Sequence, residues 1–397
     1  MHEDNALKNA ENHIFSTGLS DAGSVLARAN MKYGLAKIHA LQSGFGIKSD
    51  ATFISAPDES PNKNKTAWTN GISKGGKLAW GPGNEKLILL DARPAVCGML
   101  VGGLDKLPET KELTKKVHSL KDEKLELDGI PLQWDFGKGN HFIDVFSVRN
   151  LNGMDLPEYA FIIHASAPEL NGDNPLGFGL QYDKSTLLSD MMCVEETPYG
   201  NAHVLYDGEA TEYMGFHDYA EDFAKRRRKM VGEMLFGEFT ELSNPTHQKL
   251  LNMNEMVLGV YDTEDEGEDV FPITLRADLP AYLVKGRRSF TRKMIDGLGF
   301  GDRAKDLGVY NNLKSANIIP HGGGMNILGV TDVTGVFEVG GVRYFNLNSR
   351  RSIGEYYISD VQNLPFAYRD TRVVEKAVEL GMCEIEAELH PEIVLKV

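Results

Sequence analysis

Short apolar or alternating segments of strand length recur through this chain, and only three stretches carry a helical repeat. A chain patterned this way must bury sheet faces against a small number of helices, which predicts a mixed α+β architecture with a β-rich core and surrounding helices. The first helix is expected from about Ser20 to Leu41, with Ser20 or Asp21 as its cap and Ser43-Gly44 as its stop. The stretch 57–77, rich in Pro, Asn, Lys, Ser and Gly, reads as a long exposed loop. A buried-strand signal follows at Leu87–Leu90, ending at Asp91, and β patterns recur at 125–134, 141–148 and 159–164. A long helix from about Thr211 to Leu235 precedes an acidic loop from Asp262 to Asp269. Strand signals then fall at 271–275, 281–285, 327–338 and 342–347, followed by a helix near Thr371 to Leu380 and a last strand to Val397. No repeat or linker divides the pattern, so residues 1–397 read as one domain with insertions in its loops.

Composition narrows the class. Hydrophobic residues make up 42% of the 397 positions and charged residues 25%, an ordinary balance for a soluble globular protein. No apolar run approaches the roughly 18–20 residues of a membrane helix. The opening residues Met1 to Asn5 are polar and acidic rather than basic and then apolar. A cytoplasmic location without a membrane partner is the expectation. Three scattered cysteines, Cys97, Cys193 and Cys383, form neither a disulfide framework nor a paired zinc motif. The net charge of −15 argues against coating nucleic acid by charge alone, since backbone binding rests on Lys and Arg neutralising phosphates. A local basic groove would have to come from 225–229, from Arg287-Arg288 with Arg292-Lys293, or from Arg350-Arg351.

Four histidines fall where chemistry would use them. Gly137 and Gly139 flex a turn that feeds Asn140 and His141 into the strand containing Asp144, and a turn distortion is needed if all three are to face one site. His164 ends the apolar run Phe161–Ile163, and His247 follows the turn-like Asn244-Pro245-Thr246. His321 opens a run of three glycines, Gly322, Gly323 and Gly324, whose amides would be free to face a phosphate. The same four residues suggest the oxyanion loop of esterases, but the chain has no Gly-x-Ser-x-Gly elbow to go with it. Cys97, apolar-flanked, is by itself an ordinary buried cysteine. Beside several imidazoles and a carboxylate it would complete a mixed site suited to Zn²⁺ or Mn²⁺.

Taken in order, these fragments resemble the RtcB family of RNA-splicing ligases over roughly residues 80–397. Cys97-Gly98-Met99, the run from Gly139 to Asp144, His164-Ala165-Ser166, the helix from Asp218 to Arg228 and His247-Gln248 each resemble a family element. So do the loop from His321 to Met325, the run from Ala367 to Asp370, and the closing segment from Pro391 to Lys396. The resemblance implies an RtcB-like fold and a GTP-dependent RNA ligase. It would join 3′-phosphate or 2′,3′-cyclic phosphate ends to 5′-hydroxyl ends through a guanylylated histidine. By that resemblance Cys97, His141, His164 and His247 hold Mn²⁺, with Asp91 standing in for a family aspartate. His321 is the nucleophile toward GTP, Asn140 and the three loop glycines lie near the phosphate, Tyr368 stacks on guanine, Lys396 hydrogen-bonds it, and Asp144 lies near the nucleotide. RNA is the partner implied; the resemblance admits an activating protein as well, and oligomeric state is left open.

The chain departs from the family at definable places. Pro94 stands where the family has its metal-binding aspartate, Asp144 replaces a glutamate, and Met325 replaces an arginine of the nucleophile loop. Arg276 or Arg350-Arg351 would have to compensate for the lost phosphate contacts. Two other readings therefore stay open: a non-catalytic protein binding RNA ends or nucleotides, and a metal-dependent phosphoesterase using water as nucleophile.

Overall fold

Along the strand Tyr159–Ala165 successive side chains enter different cores. Phe161, Ile163 and Ala165 pack with Leu100, Val145 and Val231, while Ala160 and Ile162 pack with Met99, Val101 and Leu283. A strand buried on both faces in this way belongs at the centre of a sheet, and that is its position in the computed structural model, which describes residues 2–265, 267–349 and 356–396. Seven strands run Thr240–Ser243, Gly98–Leu104, Tyr159–Ala165, Phe142–Asn150, Cys383–Leu395, Ala281–Gly286 and Phe271–Ile273, every neighbour antiparallel. Burying a side chain such as Phe161 or Ile163 contributes about 1.5–3 kcal/mol, so the sheet centre is a rigid base for residues at its strand ends.

A second sheet is built from Ile14–Phe15, Thr52–Ser60, Lys74–Ala79, Glu255–Leu258 and Gln248–Asn252. The expected first helix is present as Ala22–Gly44, with the Asp21 side chain accepting from the Ser24 amide. The long helix spans Asp207–Phe236 and stops at Gly237, where φ is +79°. Its buried stripe runs Ala220, Ala224, Arg227, Arg228, Val231 and Leu235, the spacing of one helical face. The mixed α+β architecture is as expected.

The reading of 57–77 as a long exposed loop is corrected. Thr52–Ser60 is a strand buried along its whole length, Lys65–Thr69 is a short helix capped by Asn64, and Lys74–Ala79 is a sheet strand. Polar composition misled because these carboxylates find charged or polar partners inside the fold: Glu59 meets Arg28 at 3.0 Å, and Asp58 meets His321 at 2.9 Å.

Candidate metal centre

Cys97 is delivered by a strained backbone. Val96 before it lies at φ +46°, a left-handed conformation that costs a side-chain-bearing residue on the order of 1–2 kcal/mol. The surrounding structure holds it there: the Val96 side chain is buried and its amide donates to Gln248 O at 3.0 Å. The next position must be glycine, because a Cβ on Gly98 would stand 2.4 Å from Pro245 O and 2.7 Å from Arg228 Nη2. The His247 amide donates to Cys97 O at 2.9 Å, tying together two segments that are far apart in the chain.

The sheet supplies the histidines. His164 lies opposite both Met99 and Phe142, at the end of its strand. His141 sits in the turn before Phe142, its amide donating to Lys138 O at 3.1 Å, so the distortion expected at this point is present. Cys97 Sγ is 3.3 Å from His141 Nε2 and 3.2 Å from His164 Nε2. The three ligand atoms all lie within 4.8 Å of one another. Behind them, His141 Nδ1 is 2.8 Å from Asp135 Oδ2 and His164 Nδ1 donates to Asn140 O at 3.0 Å. These outer partners engage Nδ1 of each ring and turn both Nε2 atoms toward the sulfur, the orientation that metal-binding histidines use.

His247 extends the cluster. Its ring centroid is 5.1 Å from that of His164 and 4.4 Å from that of His321. Its Nδ1 is buried with no hydrogen-bond partner, a loss of about 1–3 kcal/mol that a bound cation would relieve. Burial, reinforced by the neighbouring cationic groups, holds His164 and His247 well below the ordinary histidine range, so both stay neutral and competent as ligands. Burial opposes charge on His141 too, but the Cys97 sulfur and Asp135 outweigh it and raise this ring to about 10. For Asp135, burial is likewise overcome, by His141 and Arg227, and its carboxyl falls to about 2. One sulfur and two imidazoles, with the orphaned nitrogen of His247 beside them, form a donor set that could hold a metal ion.

His321 follows the strand Ile318–Pro320, which pairs with Val260–Asp262. Its Nδ1 is 2.9 Å from Asp58 Oδ2, and its amide donates to the same oxygen at 3.2 Å. The proton is thereby held on Nδ1, leaving the Nε2 lone pair free. The loop glycines need correction in one respect. The Gly323 amide donates to Thr274 O at 3.1 Å and is not free for a ligand. Gly324 answers a steric demand, since its φ is +58° and a Cβ there would lie 2.2 Å from Asp58 O. A Cβ on Gly322 would stand 2.8 Å from Thr274 O, so this glycine too serves close backbone packing.

The remaining expected residues divide. Tyr368 is exposed and pairs with Met325 on the strand leaving the His321 loop. Asn140 is exposed beside the metal cluster, and Lys396 Nζ reaches Gly139 O at 3.2 Å in the same turn. Asp144 is buried, accepts from the Leu395 amide at 3.1 Å, and is pushed up to about 7 by that burial. Asp91 does not belong to the centre. Its oxygens are taken by Lys37 Nζ at 2.6 Å and His203 Nδ1 at 2.7 Å, because the tight turn Leu90–Ala92 carries it toward the helix Ala22–Gly44.

The 225–229 cluster is not a basic groove either. Arg226 pairs with Asp128 and Asp222, Arg227 with Asp135 and Glu169, and Lys229 with Glu241, while Arg228 is buried against Asn244. Arg287 pairs with Glu384, and Arg276 with Asp278. Arg350-Arg351 lies outside the described residues.

Two carboxylates at the site, Asp58 and Asp135, escaped the sequence reading. Asp58 was masked by its place in an apparent loop. Asp135 carries one weak signal, its position two residues before the glycine turn at Gly137. A separate cavity lined by Ala6, Asn9, His39 and Tyr199 contains none of the cluster residues. Among the described residues no helix is long and apolar enough to cross a membrane. Neither the protein-family models nor the curated protein sequences include a match to this chain.

Proposed function

We propose that the chain is a metal-dependent enzyme that forms a covalent nucleotidyl-histidine at His321, acting as a GTP-dependent RNA ligase with Mn²⁺. The observation that carries this reading is the Asp58–His321–His247 arrangement. An imidazole with its Nδ1 proton engaged by a buried carboxylate stands 4.4 Å, centroid to centroid, from a ring of the metal cluster. A neutral imidazole so oriented is a competent nucleophile toward phosphorus.

In the first step His321 Nε2 attacks the α-phosphorus of GTP. A P–N bond forms, the bond from the α-phosphorus to the bridging oxygen breaks, and pyrophosphate leaves with the electron pair. The ring becomes cationic, and Asp58 stabilises that charge through Nδ1–H. Cys97, His141, His164 and His247 would hold the metal ion, which neutralises charge on phosphoryl oxygens when bound. The guanylyl group would then pass to an RNA 3′-phosphate, and a 5′-hydroxyl oxygen would displace GMP to seal the strand. Exposed Tyr368 offers a stacking face for the base.

Incubation with Mn²⁺ and α-labelled GTP tests this directly: the protein should acquire acid-labile label, and His321→Ala should not. Labelling that persists in His321→Ala sinks the assignment.

A second reading draws on the internal pairing of the arginines at 226 and 227 and the methionine at 325, which leave little free positive charge for a long RNA. In it the same centre hydrolyses a small phosphodiester with water as nucleophile. Phosphate-ester cleavage without any GTP requirement would distinguish it.

A further inference from the structure

Buried lysines in this protein come with carboxylates. Lys37 meets Asp91 at 2.6 Å, Lys77 meets Glu255 at 3.3 Å, and Lys249 meets both Glu221 and Asp265. Lys74 differs. It begins the strand Lys74–Ala79, is half-buried, and among the described residues its side chain makes no hydrogen bond or ion pair.

Its surroundings are those of the metal centre. Lys74 lies opposite Ser60, at the end of the strand that carries Asp58. The following residue, Gly75, and the His321 ring both flank Gly259: a Cβ there would stand 3.2 Å from His321 Cε1 and 3.8 Å from Gly75 N. Burial lowers the lysine, the Cys97 sulfur pulls the other way, and the ammonium in turn depresses His247. A fixed cation at such a place repels a divalent ion unless an anion stands between them. An unpaired ammonium on the strand beside that of Asp58, next to the loop of His321, is a partner for an incoming phosphoryl oxygen.

We propose that Lys74 is the anion-binding residue of this centre, holding a phosphoryl oxygen of the substrate beside the metal ion and His321. This rests on the reading of the centre as a phosphoryl-transfer site, and it supplies the positive charge that Met325 does not. The anion comes either from the polyphosphate of a nucleotide or from the terminal phosphate of an RNA.

Titration calorimetry on the full chain loaded with Mn²⁺ tests this with three probes: pyrophosphate, GTP, and an oligoribonucleotide ending in a 3′-phosphate. Removing a charge-assisted hydrogen bond predicts that Lys74→Met weakens binding of at least one probe by about tenfold to a hundredfold. Lys74→Arg, which keeps the charge, should retain most of it. Bound metal content and circular dichroism, unchanged in both variants, exclude misfolding as the cause, and Lys74→Gln repeats the test if the methionine disturbs packing. A loss confined to GTP and pyrophosphate supports the proposal with the nucleotide as source; a loss confined to the oligoribonucleotide supports it with the RNA end. Equal binding by wild type and the neutral variants overturns it, as does failure of the wild type to bind any of the three. If binding depends on Lys74 while no label reaches His321, the anion site stands and the covalent mechanism falls.

Discussion

Asp58 Oδ2 accepts from both the ring Nδ1 and the backbone amide of His321, at 2.9 and 3.2 Å. One carboxylate oxygen thus sets the tautomer of the ring and the path of the chain that carries it. Asp58→Asn keeps the shape but loses the negative charge that holds the proton on Nδ1. Single-turnover formation of labelled protein from GTP should fall on the order of 10²–10⁴-fold, with bound metal unchanged. A variant that labels at the wild-type rate would remove Asp58 from the mechanism.

Asp135 holds His141 from behind at 2.8 Å and also meets Arg227 at 2.8 Å. Outer partners of this kind are commonly worth about 10–100-fold in metal affinity, and Asp135→Asn should weaken Mn²⁺ binding by that factor. Competition with a chelator measures it. Asp91→Asn is the contrasting control: metal affinity should be unaltered while the melting temperature drops, because its contacts are with Lys37 and His203.

Two buried groups give opposing pH dependences. Burial lowers His39 to about 4, so the unfolded chain binds the extra proton first. The stability from keeping this ring neutral is full above about 6.5 and is lost as pH falls toward 4, amounting to about 3 kcal/mol. Burial raises Asp144 to about 7, so its contribution is full below pH 3.8 and is lost as pH rises toward 7. The two windows overlap and partly cancel. Denaturant titrations from pH 4 to 7 should show a shallower fall on the acid side for His39→Gln than for wild type, and a steeper one for Asp144→Asn. Parallel profiles for all three proteins would count against both assignments.

Arg226 and Lys229 point outward yet are already paired, with Asp128 and Glu241. Replacing either by alanine should leave RNA affinity and its salt dependence unchanged, since a residue that binds a phosphate contributes close to one unit of salt slope. A slope reduced by about one unit in either variant would restore the basic-groove reading.

Much of the scaffold was legible because hydrophobic period reports burial directly. The helix Ala22–Gly44, the strand Tyr159–Ala165 and the strand Cys383–Leu395 follow from it within a few residues. The grouping of Cys97, His141 and His164, with His247 beside it, is legible only as an ordered set, since each alone is an ordinary buried or turn residue. What escaped was polar burial. Asp58 and Glu59 lie in a strand that composition marks as exposed, because a sequence does not reveal that Arg28 and His321 will meet them. Arg227 and Arg228 belong to a run that charge marks as a candidate basic groove, although helical period from Ala220 and Ala224 through Val231 and Leu235 puts both on the inward stripe. There the period was the better guide and the charge the worse one.

The strand Cys383–Leu395 lies inside the seven-stranded sheet, between Phe142–Asn150 and Ala281–Gly286. During synthesis those two flanking strands therefore leave the ribosome long before the one that joins them. Until it arrives, each presents an open hydrogen-bonding edge able to capture a neighbouring nascent chain. A chain cut short before residue 383 would keep both edges open, so its expected defect is aggregation rather than a local loss at the site.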